Sequence, residues 1–164
     1  LGVTTLISDS GVTRYRVNTE EWMMYDRKKP SYWAFEKGVY MEQFDSIFNV
    51  EASIKADTAY YYDKERLWKL IGNVDIQNRK GERFNTELLY WNEATQKVYS
   101  DKFIRIQQPD RIITGHGFDS NQQMTIYTIR NIEGIFYVDE EASSGPPQPE
   151  TKALPDSVNK DTAK

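Results

Sequence analysis

From Ile47 to Tyr60 the chain alternates with a period of two. Phe48, Val50, Ala52, Ile54, Ala56, Thr58 and Tyr60 fall on one side, and Asn49, Glu51, Ser53, Lys55 and Asp57 on the other. Successive strand side chains point to opposite faces, so this pattern predicts a strand with one apolar and one wet face. The next segment repeats it, with Trp68, Leu70, Gly72, Val74 and Ile76 against Lys69, Asn73, Asp75 and Gln77; Ile71 alone breaks the rule. Turn chemistry recurs at Asp9-Ser10-Gly11, Asp63-Lys64-Glu65, Asn78-Arg79-Lys80-Gly81, Asn92-Glu93-Ala94-Thr95, Pro109-Asp110, Asp119-Ser120-Asn121 and Asn131-Ile132-Glu133-Gly134. Strands joined by such turns predict an antiparallel meander, not a parallel sheet with helical crossovers. Thr19 to Tyr25 suits a short helical turn or a strand. Gly72 and Gly115 each sit in an apolar strand that precedes a turn, an irregular rhythm that suits a sheet extended hairpin by hairpin.

Composition bounds this picture. In 164 residues with 38% hydrophobic positions there is material for one sizeable core, hence one domain. Tyr 11, Phe 7 and Trp 4 all lie at or before Tyr137. The segment from Asp139 to Lys164 has no aromatic residue and holds Pro146, Pro147, Pro149 and Pro155. It reads as a disordered tail, giving a domain over 1–138 and a Pro-rich tail over 139–164.

Lys+Arg 21 against Asp+Glu 25 leaves a net charge of -4, which argues against nucleic acid as a partner, because phosphate binding needs clustered positive charge. The chain has no cysteine and a single histidine, His116, so a disulfide framework, thiolate or multi-histidine metal sites and a Cys nucleophile are excluded. Asp63 and Glu65, or Glu140 and Glu141, are paired acids in turn or tail contexts, where solubility explains them. His116 lies in Thr-Gly-His-Gly-Phe without a nucleophile elbow, a Walker loop or a His-Glu-x-x-His motif. Gly115 and Gly117 fit a bulge or a close backbone approach better than a phosphate cradle. No cofactor is called for, and no enzymatic activity is expected.

Two non-catalytic readings remain. The apolar face, with Phe48, Trp68, Phe84 and Trp91, can fill a dry core or line a groove for something apolar, and alternation alone does not separate them. An unclosed meander also has two edge strands that can accept another chain. Met124 to Val138 has neither lysine nor proline to guard it.

The run Leu70-Ile71-Gly72-Asn73-Val74, then Gly81 to Asn92 (GERFNTELLYWN), Val98 to Ile106 (VYSDKFIRI) and Thr114-Gly115-His116-Gly117-Phe118 resembles the signature of the LptC family. Asp9-Ser10-Gly11, Tyr15-Arg16-Val17, and Trp33 to Gly38 before Phe44-Asp45 are similar to that family's opening. The resemblance covers roughly Thr4 to Val138, and its aromatic-rich style looks like Bacteroidota members. It implies a periplasmic component of lipopolysaccharide export, related to OstA-like proteins. The implied fold is all-β, a twisted open antiparallel β-jellyroll whose apolar interior groove receives acyl chains, with no catalytic residues, no metal and no cofactor. The implied partners are lipopolysaccharide, an inner-membrane ABC transporter of the Lpt system and an LptA-like bridge protein, with edge-to-edge self-association a further option. Periplasmic localisation follows, with anchoring to the inner membrane by an N-terminal segment that this chain does not contain. A soluble LptA-like bridge component or a generic periplasmic lipid- or glycan-binding β-domain is the alternative.

On that resemblance, the groove-lining side chains are expected among Val50, Ala52, Ile54, Trp68, Leu70, Val74, Ile76, Phe84, Thr86, Leu89, Trp91, Ile104, Ile106, Ile112, Phe118, Ile126 and Phe136. Thr86 and Leu89 can share a face only if a bulge intervenes. The partner edges are expected on the strand from Thr4 to Ser8, through Thr5 and Ile7, and on Met124 to Val138, through Ile126, Ile129 and Phe136.

Overall fold

The computed structural model describes residues 2–9 and 12–138. β1 (Val3–Asp9) and β2 (Val12–Thr19) form the first hairpin, and β3 (Met23–Tyr25) and β4 (Tyr32–Phe35) the second. β5 (Val39–Phe44) and β6 (Val50–Ala56) form the third, followed by β7 (Thr58–Tyr62). Five longer strands complete the described residues: β8 (Leu67–Asn78), β9 (Arg83–Asn92), β10 (Lys97–Gln107), β11 (Arg111–Asn121) and β12 (Tyr127–Tyr137). All twelve belong to one antiparallel sheet in the order β1-β2-β5-β6-β8-β9-β10-β11-β12, with β3, β4 and β7 as a side branch. The fold is all-β, an open twisted jellyroll. Of the stretch Thr19 to Tyr25, Thr19 closes β2, residues 20–22 are coil, and Met23–Tyr25 form β3, because β4 offers them a pairing partner.

The sheet forks where the long alternating segment was expected to run straight. Ala52–Lys55 pairs with the C-terminal half of β8, whereas Thr58–Tyr62 pairs with its N-terminal half. The break falls at Asp57, whose backbone N–H donates to Gly72 O (2.9 Å). Side-chain parity inverts there. Ala56 and Ala59 are both buried, so Thr58 and Tyr60 leave the apolar face that the alternation gave them. Tyr60 meets Tyr32 edge-on and donates its hydroxyl to Glu36 Oε2 (2.8 Å), which pushes its pKa up to about 12.

A row of bulges crosses the long strands at one level. The register slips between Ile71 and Val74 in β8, between Ser100 and Phe103 in β10, and opposite Thr114/Gly115 in β12. Thr86 and Leu89 are indeed both buried, but the extra residues sit on the neighbours, β8 and β10, not on β9 itself. Bulges sharpen the right-handed twist and bend the strands that carry them. Gly117 adopts φ 85°, and a Cβ on Gly115 would stand 2.4 Å from Asn131 O, so both glycines serve the bend, as their flanking of His116 suggested. Asn131 to Gly134 is consequently a bulge inside β12 and not a turn. Likewise Asp119-Ser120-Asn121 ends β11, and the turn follows it; Met124 there has φ 60°.

The bend folds the sheet over itself. Asn78 and the β11–β12 turn lie at opposite ends of the ladder, roughly 35 Å apart in a flat sheet at about 3.3 Å per residue. Yet Asn78 Nδ2 donates to Met124 O over 2.7 Å, and Tyr127 meets Phe84 in a T-shaped contact at 5.1 Å. A continuous interior results, with Trp68, Leu70, Ile76, Phe84, Leu89, Ile104 and Phe118 almost wholly excluded from solvent. The Pro-rich segment 139–164, expected to be a tail, and Ser10 and Gly11 of the expected turn lie outside the described residues.

Candidate functional site

The interior collects most of the expected lining. Ala52, Ile54, Trp68, Leu70, Val74, Ile76, Phe84, Thr86, Leu89, Trp91, Ile104, Ile106, Ile112 and Phe118 are all buried. Three others are exposed. Val50 (45% exposed) begins β6 beside a register shift, and Ile126 (76%) lies in the turn before β12. The β12 residues that reach the core are instead Tyr127 and Ile129. Phe136 pairs with buried Ile112, so it lies on the interior side, but it stays 48% exposed because nothing flanks β12 beyond it among the described residues. Pattern reading also missed Val17, Phe35, Val39, Met41, Ala59, Val98 and Met124, which join the same cluster. The alternation of Val39, Met41 and Gln43 was the available signal for β5, whereas Met124, in a turn, had none.

An aromatic chain ties the two walls together. Tyr15 on β2 meets Trp91 on β9 edge-on (4.9 Å), although these strands are not hydrogen-bonded neighbours. Trp91 stacks on Trp68 (6.3 Å), Trp68 touches Phe35 (5.5 Å), and Phe35 touches Trp22 (5.6 Å). The chain therefore runs from β2 across β9 and β8 into β4 and on to the segment between β2 and β3. Each such contact adds about 0.5–1.5 kcal/mol beyond area burial.

Polar groups inside are mostly satisfied by the protein. Thr86 Oγ1 donates to Phe103 O (2.8 Å), Ser100 Oγ to Leu88 O (2.6 Å) and Trp91 Nε1 to Gln122 Oε1 (3.2 Å). Glu93, buried at the end of β9, accepts from Tyr61 Oη (3.0 Å) and Trp68 Nε1 (3.1 Å), with Arg66 at 3.8 Å. Burial, reinforced by the Glu93 charge, pushes the Tyr61 phenol far up. Trp22 Nε1 is the exception, buried without a partner among the described residues. The interior is thus a nonpolar volume almost free of unmet polar demand among the described residues.

Both ends of the strand order are open. β1 pairs only with β2, and β12 only with β11, among the described residues. Thr5 and Ile7 are half-buried on β1, and Leu6 between them is exposed. On β12, Ile129 packs against the core, while Ile132, Ile135, Phe136 and Tyr137 are exposed. β12 is an unpaired edge of eleven residues without lysine or proline, and its bulge at Asn131 to Gly134 and its charged Arg130 and Glu133 are the protections it carries against strand addition.

His116 is exposed and bonded through Nδ1 to the Glu133 carboxylate, with Phe103 against its ring at 5.5 Å. Asp63 accepts from Ser31 Oγ (2.6 Å), tying the β7–β8 turn to the residue that precedes β4. Glu140 and Glu141 lie outside the described residues.

The family model LptC, described as lipopolysaccharide-assembly, LptC-related, matches residues 3–137. No curated protein matches the chain.

Proposed function

The chain belongs to the LptC-related lipopolysaccharide-assembly family, and from that premise we propose that it receives lipopolysaccharide from an inner-membrane ABC transporter and passes it to a bridge protein. Involvement in lipopolysaccharide export follows from membership, which also marks a transport component of the cell envelope and not a known enzyme family. The observation that carries the finer reading is one apolar interior running the length of a folded sheet whose two end strands are unpaired.

Each methylene transferred from water to this interior contributes about 0.8 kcal/mol, so several acyl chains bind well without any one specific pocket. Diffuse binding of this kind allows onward movement, because no single contact has to break at once. The phosphorylated headgroup stays out, since burying an unpaired charge is costly. Direction comes from ATP hydrolysis in the transporter. The lining side chains fill the interior in this state, so an entering acyl chain must displace them. At the outer edges of β1 and β12 no ladder hydrogen bonds to a further strand have to be broken among the described residues.

The edges complete the path. β1 accepts the transporter side and β12 the bridge protein by strand addition, giving a continuous sheet and a continuous interior across proteins. Periplasmic placement with an inner-membrane anchor upstream belongs to the same proposal. The test is co-purification with the bridge protein after charged substitutions on β12: loss of the complex with the fold retained is the expected result, and an unchanged complex contradicts the docking assignment.

A further inference from the structure

The bulge row leaves an open pocket of about 750 Å³ on the outer face of the sheet, whose lining also reaches the buried Val74 and Thr86. That size is within the range of about 300–1,000 Å³ typical of small-ligand sites. Two rows of side chains line it. In the first, Lys55, Asp75, Asn85 and Arg105 stand opposite one another on β6, β8, β9 and β10. At about 4.8 Å between strands this row spans roughly 14 Å. The second lies at the bulges and includes Asp57, Asn73, Glu87, Lys102, Phe103 and His116.

The charges in this pocket are not equally engaged. Each acid already has a partner: Asp57 accepts from Asn73 Nδ2 (2.8 Å), Asp75 pairs with Arg83 (3.2 Å), and Glu87 accepts the Asn73 backbone N–H (3.3 Å). Lys55, Lys102 and Arg105, by contrast, have no ion pair and no side-chain hydrogen bond among the described residues. Three uncommitted cations around one concavity can meet negative charge on a ligand, beside the carboxylates of Asp57 and Glu87, whose bonds to the neutral Asn73 leave their own charge in place. Phe103 adds a second feature. It is a large apolar ring on the wet face of a strand, 45% exposed, held edge-on against His116, whose Nδ1 is fixed by Glu133. An exposed ring beside acceptors and donors suits a ligand with both an apolar face and hydroxyl groups. Carboxylates that already accept one bond retain lone pairs for ligand hydroxyls.

We propose that this outer-face pocket binds an anionic saccharide, an oligosaccharide carrying phosphate or carboxylate. Its charge is met by Lys55, Lys102 and Arg105, a sugar face lies on Phe103, and hydroxyls are read by Asp57, Asp75 and Glu87. A lone phosphate would use one end of a 14 Å row and leave the ring idle, so the length of the site selects an extended ligand. The proposal rests on the lipopolysaccharide reading in one respect, in that it takes the ligand to be the saccharide part of that cargo. Acyl chains and sugars would then travel on opposite faces of one sheet.

The probe is the fully deacylated, phosphorylated saccharide released from lipopolysaccharide, titrated onto the whole chain and followed by calorimetry and backbone NMR shifts. Having no acyl chain, it does not report on the interior, so its failure leaves acyl capture inside the sheet untouched, and the reverse holds equally. Binding is expected with shifts centred on Lys55, Phe103 and His116. Arg105→Gln, Lys102→Glu and Phe103→Ala should each weaken it about tenfold or more, and Lys97→Ala, an exposed cation elsewhere on β10, should not. Dephosphorylated saccharide should bind at least tenfold more weakly, and inorganic phosphate should not saturate the site. Absence of binding, binding indifferent to all three substitutions, or equal binding of inorganic phosphate overturns the proposal. Thermal melts of the variants identify any that has lost its fold, and the exposed Lys102→Glu keeps the test valid if Phe103→Ala does.

Discussion

Truncating Phe84 to alanine distinguishes a packed interior from a hydrated groove. Phe84 is fully buried between Phe118 (5.7 Å) and Tyr127 (5.1 Å), at the fold where the two layers meet. Removal of its ring loses the transfer free energy of the side chain and leaves a cavity that rigid strands refill only in part, together about 3–5 kcal/mol. Phe136, on the interior side but about half exposed, retains water contact in the folded state. Half of the roughly 1.5–3 kcal/mol for full burial of such a side chain leaves about 1 kcal/mol at stake in Phe136→Ala, with no cavity term. Urea unfolding of both variants, read as the shift in midpoint at constant slope, measures the contrast directly. Against a typical total of about 5–15 kcal/mol, Phe84→Ala leaves little margin, so Phe84→Leu, expected at roughly 1–2 kcal/mol, serves where the alanine variant is too unstable. A loss below about 1.5 kcal/mol for Phe84→Ala, or equal losses at the two sites, would refute the claim that the lining side chains pack the interior and exclude water from it.

Other consequences follow from individual contacts. Trp22→Phe removes a buried donor that has no partner and should leave stability within about 1 kcal/mol, whereas Trp68→Phe deprives buried Glu93 of a donor and should cost about 2–3 kcal/mol; calorimetric melts compare them. The Tyr60 pKa is raised to about 12 by its bond to Glu36, and those of Tyr61 and Tyr127 are raised chiefly by burial. Groups raised above the unfolded value of 10 contribute stability that is complete below pH 10 and is lost as pH rises through their folded values. Unfolding should thus set in above pH 10, tyrosinate absorbance should rise together with it, and Tyr60→Phe should remove part of the loss; tyrosines that all ionise near 10 in a folded chain would contradict this. Charged substitutions at the exposed Ile132 and Tyr137 should abolish bridge-protein binding with an unchanged melt. Ile129→Glu should in addition destabilise, because Ile129 packs against the core.

Strand identity was legible because β6 and β8 to β11 bury one face each, and period-two alternation records that directly. The resemblance to the family was legible in the same strands, from Leu70 to Phe118. What could not be read was where parity changes. The fork at Asp57 depends on β8 having two partners along one edge, a tertiary fact absent from local pattern, so Tyr60 was given the wrong face. Ile126 failed for a related reason: Met124 adopts a left-handed turn and carries its own side chain into the core, leaving Ile126 outside. Asn73 and Gly72 at positive φ, and Gly117 beside His116, were visible as oddities of composition, but their sum, a bend that folds the sheet and opens an outer pocket, needed the register of five strands. The outer cations escaped notice because a lysine or arginine on a wet face has an ordinary explanation until its neighbours' partners are known.

The central claim is that acyl chains travel inside the sheet. It is tested most directly by site-specific photo-crosslinkers in cells exporting lipopolysaccharide, with Ile54, Trp68 and Ile104 as interior positions and Glu51 and Ser53 as outward positions on the same strand as Ile54. Lipopolysaccharide adducts from the three interior positions and none from the two outward ones are the predicted result. Adducts from Glu51 and Ser53 alone would contradict it.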